Sequence, residues 1–390
     1  MRERSLAIAT PKFPEPATPR KTGPAPPRMA ALDAFRGIAI AGMILVNSPG
    51  ASSHRYAQLR HADWNGWTLA DLIFPSFLFI VGVASTLSIL EARRRGVGRR
   101  ELVGKILRRT IVIFLLGLFL NAFPNFHWAT LRIPGVLQRI ALCYCVAGLL
   151  VLTTRPIAQA AIAGALLVGY WGLLRLAWPA ADGGWLASGT NVAAIVDHAL
   201  LRSHLLHPGW DPEGLLSTLP AIATTLIGVV TGHWLRWPRS HVERVAGMLA
   251  VGNLALYGGL LLGVWFPINK SLWTSSFAIF AAGVALVVLG MCAWLIDLRH
   301  HRAWAHPFIV YGSNPLLAYV LSSLLDKALQ SLVVIGPNGT PVVLKHLLYS
   351  TLFARFLSAP HASFAWAATY VILWLLPLEL LYRKKIFIKI

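Results

Sequence analysis

The clearest chemical signal in the chain lies in residues 59–82, LRHADWNGWTLADLIFPSFLFIVG. His61 can take up or release a proton near neutral pH, because an imidazole titrates at about 6.5. The carboxylate of Asp71 follows at the start of an apolar run. An ionisable group in a membrane-sized apolar segment is costly, so its presence favours a functional role. We interpret His61 as a general base, and Asp71 as the group that orients the imidazole or holds an incoming ammonium.

Other polar residues are expected at the same membrane face. The preceding apolar segment ends in ILVNSPG, which places Asn47 there, where its amide could donate to an acyl oxygen. Trp64 and Trp273 could stack on a sugar or anchor the interface. Asp211 and Glu213 could contact a substrate or cap the helix that follows. We predict these substrate-binding residues: Trp64, Asn65, Asp211, Glu213, Asn269, Lys270 and Trp273.

A second population of polar residues is expected toward the opposite ends of the spans. Asp33 and Arg36 lie in LDAFRG, three residues apart on one helix face, and Ser313 and Asn314 lie in GSNP. Arg139 does not belong to this second population: it lies in IPGVLQR, which is expected at the face of His61, and inside an apolar segment it needs a partner or an anion. A long ligand with a charged head at one end and a reactive tip at the other would fit two such populations.

The composition identifies a membrane protein. Of 390 residues, 56% are hydrophobic and 13% are charged, and apolar runs recur at roughly 20 residues, the length of a membrane-spanning helix. The mixed segment at 341–357 is predicted to be an interfacial helix. We predict an all-α polytopic membrane protein with about ten transmembrane helices, at residues 30–49, 69–90, 109–123, 134–153, 157–177, 215–235, 244–263, 273–296, 307–325 and 360–381.

We interpret the net charge of +20 as a sign of how the chain is oriented in the membrane, rather than as a nucleic-acid site. If successive loops alternate between the two sides, 24 of the 35 Lys and Arg share the side of both termini, which is then cytoplasmic. The loop with His61 then faces the periplasm or a lumen. Residues 1–28, rich in Pro and basic residues, are predicted to be a disordered cytoplasmic tail before a single transmembrane domain at 29–390. The cysteines show no metal-ligand spacing, and we predict no metal site.

Six motifs, in order from about Leu32, resemble the heparan-α-glucosaminide N-acetyltransferase family, which comprises a lysosomal transmembrane enzyme and bacterial relatives. The resemblance implies acetyl transfer from cytosolic acetyl-CoA to the amine of a terminal glucosamine on the far side of the membrane. It also implies that His61 is catalytic, that Asn47 takes part, and that the protein is a homodimer; a bacterial relative would lie in the inner membrane. The motifs are LDAFRGIAIAGMILVN, HADWNGWTLADLIFPSFLFIVG, RIPGVLQRIALCY, DPEGLLSTLPAI, PINKSLWTSSF and YRKKIFIKI.

With acetyl-CoA as the implied donor, the second polar population becomes a predicted nucleotide site. Arg36 is the best-placed cation for the phosphates. The predicted CoA-binding residues are Arg36, Asp33, Arg139, Ser313 and Asn314, and the pantetheine arm is expected to thread past Gly37, Gly42 and Gly82.

Two mechanisms and two other function classes stay open at this point. Acetyl transfer could be direct in a ternary complex, or could pass through an acetyl-histidine. We favour direct transfer, because one base and one polarising donor suffice. An amino-sugar transporter would also have a central polar pocket but should show inverted repeats with paired broken helices, and residues 30–200 and 210–390 show no convincing similarity. A purely structural membrane protein would not need so many polar groups at one depth.

The charge asymmetry makes a topology prediction. A cysteine introduced at Ser53 should react with a membrane-impermeant thiol reagent added to intact cells, whereas one at Gly96 should react only after permeabilisation. Labelling with the opposite sidedness would place His61 in the cytoplasm and remove the case for transfer across the membrane.

Overall fold

The computed structural model describes residues 29–176, 184–337 and 339–388, so the predicted tail at 1–28 lies outside the described residues. This part of the chain is almost entirely helical, as predicted. Its helices are α1 (Ala30–Asn47), α2 (Leu69–Arg94), α3 (Arg99–Ala122), α4 (Val136–Thr153), α5 (Pro156–Leu176), α6 (Val192–Leu201), α7 (Thr218–Arg236), α8 (His241–Leu262), α9 (Ser275–Cys292), α10 (His306–Ser313), α11 (Pro315–Ser331), α12 (Leu344–Tyr349) and α13 (Ala359–Arg383). The strands β1 (Val333–Ile335) and β2 (Pro341–Val343) form an antiparallel hairpin.

Eight of the described helices are long and apolar enough to cross a membrane: α1, α2, α4, α5, α7, α8, α13, and α9 with its extension to Leu298. The pair α10 and α11 would make a ninth, bent by 85°. The third predicted span lies in α3, which has 24 residues but begins with basic residues and falls outside this set. The predicted spans therefore correspond to these eight helices, the bent pair and α3.

The prediction of one continuous helix at 307–325 is wrong, because the chain breaks at Asn314. Pro315, which lacks an N–H group, begins α11 in a new direction. The Asn314 amide donates to the carbonyl of Ile386 at 3.0 Å and accepts from the N–H of Ile388 at 2.8 Å. The break is thus stabilised by residues near the C-terminus, and α11 extends to Ser331, beyond the predicted end of the span.

The segment at 341–357 is a helix only in part. Its first residues form β2, which pairs with β1, and α12 follows directly. A π-helical turn at Ser350–Ala354 then leads toward α13.

Glycines at helix crossings bring backbones into direct contact, as in other membrane bundles. In the α2–α7 crossing, a β-carbon on Gly82 would overlap the carbonyl of Thr225, and one on Gly228 would overlap the carbonyl of Phe79. Gly37 likewise meets the carbonyl of Phe308 in α10. The expectation that pantetheine threads past Gly37 and Gly82 is therefore wrong, since neighbouring helices already fill that space.

The helices bring the loops 48–68, 123–135, 202–217 and 263–274 together at the end of the bundle that holds Asn47, here called the Asn47 end. The opposite end holds Asp33 and the α2–α3 loop and is called the Asp33 end. Gly96 in that loop has a φ of +84°, which favours glycine. Its exposed neighbour Arg95 is the better position for a labelling cysteine.

The α2–α7 crossing makes a stability prediction. Gly82→Ala should lower the thermal midpoint of the detergent-solubilised protein, because the added methyl group forces the two backbones apart and overpacking of this kind costs typically about 1–3 kcal/mol. The matched control is Gly164→Ala in α5, where the added β-carbon would have no neighbour within 4 Å. Gly164→Ala should leave the midpoint unchanged or slightly higher. Equal midpoints for the two variants would contradict the close crossing.

Candidate functional site

His61 and Asp71 form a hydrogen-bonded pair at the Asn47 end. Nδ1 of His61 lies 2.7 Å from Oδ1 of Asp71. The Asp71 side chain is 1% exposed, whereas the His61 side chain is 44% exposed. An ionised carboxylate only accepts hydrogen bonds, so this contact favours the proton on Nδ1 and makes Nε2 the acceptor atom of the ring. The pairing that the sequence predicted is thus present, and the imidazole is accessible from outside the protein.

Asp71 also builds the start of α2. Its Oδ2 accepts hydrogen bonds at 3.1 Å from the backbone N–H groups of Ala62 and Thr68 and from the hydroxyl of Thr68. Thr68 and Asp71 together form a capping box. The carboxylate that orients the imidazole is therefore fixed by the first turn of a helix and by the loop that carries His61.

Lys270 completes the cluster from a distant part of the chain. Its Nζ lies 3.3 Å from Oδ1 of Asp71 and 3.0 and 3.4 Å from the two ring nitrogens of His61. The Lys270 side chain is 17% exposed. The sequence predicted Lys270 as a substrate-binding residue, and the structure places its ammonium beside the imidazole as the counter-charge of Asp71. We call His61, Asp71 and Lys270 the histidine cluster.

The loop of Lys270 is fastened to the loop of His61. Asn269 is fully buried and donates to Oδ1 of Asn65 at 3.2 Å, while its own Oδ1 accepts from the N–H of Leu272 at 2.8 Å. The N–H of Gly66, whose φ is +100°, donates to the carbonyl of Ile268 at 2.8 Å. Asn65 and Asn269, predicted to bind substrate, are thus brought together here as the contact between the two loops.

Trp273 and Arg139 form a buried pair behind this loop. Trp273 is 1% exposed, and its indole N–H donates to the hydroxyl of Thr224 at 3.1 Å. The guanidinium of Arg139 lies 5.2 Å from the centre of a Trp273 ring. It donates to the carbonyl of Gly214 at 3.0 Å and to the hydroxyl of Ser217 at 2.5 Å. Arg139 therefore lies at the Asn47 end, apart from Asp33 and Arg36.

Asp211 and Glu213 form ion pairs with Arg132, a residue that the sequence analysis did not predict to be part of the site. Arg132 donates to both oxygens of Asp211 at 2.8 and 2.6 Å and to Glu213 at 2.5 Å. Burial alone would lower the pKa of the Arg132 guanidinium, but its contacts with the two carboxylates outweigh burial and raise it. In the same region, burial raises the pKa of the Asp197 carboxyl in α6 to about 6, although that carboxyl accepts the N–H of Leu215 at 2.8 Å.

Trp64 belongs to the loop that carries His61 and contacts the segment after α5. Its indole N–H donates to the carbonyl of Leu186 at 2.8 Å, and its ring meets Trp210 edge-on at 5.1 Å. The ring of Trp210 in turn stacks on His207 at 4.4 Å. The structure thus places Trp64 in an aromatic cluster at the Asn47 end.

Asn47 lies on the wall of a cavity of about 360 Å³ between α1, α3, α4 and α11. In the described residues, no hydrogen bond joins Asn47 to the histidine cluster. Asp326 lines the same cavity and is paired with the buried Lys345 at 2.7 Å. Other polar residues of this wall are Asn121, Gln138, Ser323, Lys327 and Gln330.

A second, apolar cavity of about 60 Å³ adjoins the first, because the two share Leu137 and Tyr319. Arg109 in the first half of α3 lies on the wall of this smaller cavity, with its guanidinium 5.0 Å from the centre of the Tyr144 ring. The two cavities together follow α1, α3, α4 and α11 from Arg109 to Asn47. Sequence reasoning missed Asp326 and Lys327 on the wall of the larger cavity, because both lie just beyond the predicted end of the ninth span.

Four of the five residues predicted to bind CoA meet near the Asp33 end: Asp33, Arg36, Ser313 and Asn314. Arg36 donates to Oδ1 of Asp33 at 2.7 Å and to the carbonyl of Gly312 at 3.1 Å. The Ser313 hydroxyl donates to the carbonyl of Val310 at 2.7 Å, and Asn314 contacts the C-terminal segment as described above. Arg36 thus links α1 to the end of α10, while Ser313 and Asn314 have backbone partners.

Comparison with known proteins shows which family the chain resembles. A model of the catalytic region of heparan-alpha-glucosaminide N-acetyltransferase matches residues 28–269, which include His61, Asp71 and Asn47 and end next to Lys270. The heparan-alpha-glucosaminide N-acetyltransferase of Homo sapiens is 28% identical over 96% of this chain and 62% of its own length. That of Mus musculus is 28% identical over 77% of this chain and 54% of its own length.

The chain thus spans between about half and three fifths of the length of these curated relatives. The family match itself covers more than half of the chain, from the start of α1 to the loop that carries Lys270. On that match, the chain belongs to the heparan-alpha-glucosaminide N-acetyltransferase family.

Proposed function

We propose that the protein is a transmembrane N-acetyltransferase that moves an acetyl group from cytoplasmic acetyl-CoA to the amine of a glucosamine-type sugar at the Asn47 end. The observation that carries the proposal is the histidine cluster: an exposed imidazole held by a buried carboxylate at 2.7 Å. This arrangement presents Nε2 as a base at the membrane face, in a chain that belongs to an acetyltransferase family.

In the proposed reaction, the amine nitrogen of the sugar attacks the thioester carbon while Nε2 of His61 removes its proton. Asp71 holds Nδ1–H and stabilises the imidazolium that forms. Asn47 donates to the acyl oxygen as that oxygen gains negative charge. The C–S bond then breaks, and the thiolate of CoA takes the proton from His61. One base and one donor suffice, so direct transfer is proposed rather than an acetyl-histidine.

The two adjoining cavities support a donor that lies along the bundle. The smaller cavity is mostly apolar, which matches the uncharged pantetheine arm, although its volume of about 60 Å³ holds only a short segment of that arm. Arg109 at its wall is a cation for the nucleotide end. The larger cavity is polar and ends at Asn47. At the Asp33 end, the proposed contacts of the nucleotide remain Arg36, Asp33, Ser313 and Asn314. Arg139 remains a proposed contact of the part of the donor that lies closer to the Asn47 end.

The acceptor is proposed to bind at the loops of the Asn47 end. Trp64 offers a ring there, Lys270 lies beside His61, and the amides of Asn65 and Asn269 lie on the adjoining loops. Trp273 was predicted to bind the sugar, but it is buried behind the loop of Lys270 and is proposed to support that loop instead. Asp211 and Glu213 are proposed to act from their ion pair with Arg132. We propose that the protein lies in a bacterial inner membrane as a homodimer with both termini in the cytoplasm.

The transporter alternative receives limited support from the fold. Transporters built from inverted repeats carry broken helices in corresponding positions of both halves. The described residues contain one broken span, α10 with α11. CoA release that depends on an added amino sugar would separate an enzyme from a transporter.

The role of His61 makes a kinetic prediction. In purified protein supplied with acetyl-CoA and glucosamine, His61→Ala should lower turnover by roughly 10²–10⁴-fold, the usual contribution of a positioned acid–base group. Acetyl-CoA should still bind, because the imidazole lies outside the walls of both cavities. The measurements are thiol release and N-acetylglucosamine formation.

The matched control is His54→Ala, since His54 is an exposed histidine in the same loop. It should keep wild-type turnover. If His61→Ala acetylated glucosamine at nearly the wild-type rate, the assignment of His61 as the base would be wrong.

The donor orientation makes a binding prediction. Arg36→Ala and Arg109→Ala should each weaken acetyl-CoA binding by about 1.5–3 kcal/mol, the worth of a hydrogen bond to a charged group. Arg100→Ala is the control, because Arg100 is an exposed arginine of α3 that lines neither cavity. Isothermal titration with acetyl-CoA measures all three. The proposed orientation of acetyl-CoA would be wrong if both test variants bound it with unchanged affinity, or if its nucleotide were found at the Asn47 end.

A further inference from the structure

The amide of Gln138 is a buried hydrogen-bonding group that the proposed mechanism does not use. Gln138 lies in the first turn of α4, is 3% exposed, and lines the larger cavity with Asn47. Its Nε2 has no hydrogen-bond partner anywhere in 29–176, 184–337 or 339–388. Buried amides are nearly always satisfied in folded proteins, so an orphaned donor on a cavity wall points to a ligand that accepts from it.

The surrounding backbone makes room for this side chain. A β-carbon on Gly117 in α3 would overlap the Gln138 amide, and one on Gly135 at the start of α4 would meet the same amide oxygen at 2.7 Å. The nearby amide of Asn121 is already used, since it donates to the carbonyls of Arg132 and Pro134 at 2.8 and 2.9 Å. Gln138 therefore holds an unused, buried donor beside this wall, whereas the Asn121 amide already donates twice.

The chemistry of the wall favours a ligand oxygen that carries negative charge. Asn47 contributes a second amide to the cavity, and the cavity also touches Val136 and Leu137 in the first turn of α4. The N-terminus of a helix carries a partial positive charge. In acyl transfer, the atom that gains negative charge is the carbonyl oxygen of the thioester.

We propose that Gln138 donates a hydrogen bond to the acyl oxygen together with Asn47, so that the two amides form the oxyanion hole. The inference rests on the proposed function and adds a catalytic residue to it. As the amine nitrogen bonds to the carbonyl carbon, the C=O π pair moves to the oxygen between the two amides, and His61 accepts the amine proton. The pair returns as the C–S bond breaks, and the departing thiolate receives the proton from His61.

The test compares steady-state kinetics of Gln138→Leu and Gln138→Glu with the wild type. The first variant keeps the bulk and loses the donor, and the second presents a carboxylate to the developing charge. Each should lower kcat by on the order of 10²-fold, with the KM values for acetyl-CoA and glucosamine changed by less than about threefold. Gln58→Leu is the control, because Gln58 is an exposed glutamine that lines neither cavity.

The outcomes separate the inference from the proposed function. Wild-type protein that releases no thiol with glucosamine and acetyl-CoA would defeat the proposed function itself. An active wild type with unaltered kcat in both Gln138 variants would overturn the inference alone. A raised KM for glucosamine at normal kcat would assign Gln138 to the acceptor instead and overturn it too. Both Gln138 variants must unfold within a few degrees of the wild-type thermal midpoint, which excludes misfolding. A variant that misfolds is replaced by Gln138→Met.

Discussion

The site depends on one constraint, which is that the buried carboxylate of Asp71 must have partners. A carboxylate that is 1% exposed at the end of a membrane helix is tolerated only when hydrogen bonds and a counter-charge compensate for lost water. Asp71 satisfies this need with two backbone N–H groups, one hydroxyl, an imidazole and the Lys270 ammonium. These partners come from residues 61–71 and from residue 270, so that meeting the need of one carboxylate draws two distant loops together.

The bundle behind this cluster is held by a different interaction, direct contact between helix backbones. Lipid offers no hydrophobic drive between helices, so close packing at small residues must supply the attraction. The α2–α7 crossing at Gly82 and Gly228 and the α1–α10 contact at Gly37 show this. The same packing fixes where space is left over. Open volume remains between α1, α3, α4 and α11, the second half of the broken span.

Much of the fold and part of the site could be predicted from the sequence. Apolar length and charge asymmetry locate the spans, and the spacing of His61 and Asp71 predicts their pairing, because both depend on local pattern. The break at Asn314 has a local signal in Pro315, which the prediction of one continuous span overlooked. Its stabilisation by backbone groups of residues 386 and 388 was not predictable, because no local pattern links them to Asn314. The ion pair of Arg132 with Asp211 and Glu213 escaped prediction for the same reason. Gly37 and Gly82 were expected to line a path for the pantetheine arm. In a membrane bundle, however, such glycines mark places where two helix backbones are in contact.

The anchoring of α11 at both ends has a mechanical consequence. At one end Asn314 is bonded to the C-terminal segment, and at the other Lys327 donates to the carbonyls of Leu120 and Phe123 at the end of α3. The helix between these two attachments supplies one wall of both cavities through Tyr319. A wall held at both ends resists bending outward, so the width of the cavity is set by the fold rather than by the ligand. The space beside α11 is therefore already shaped in the protein before any donor or acceptor enters it.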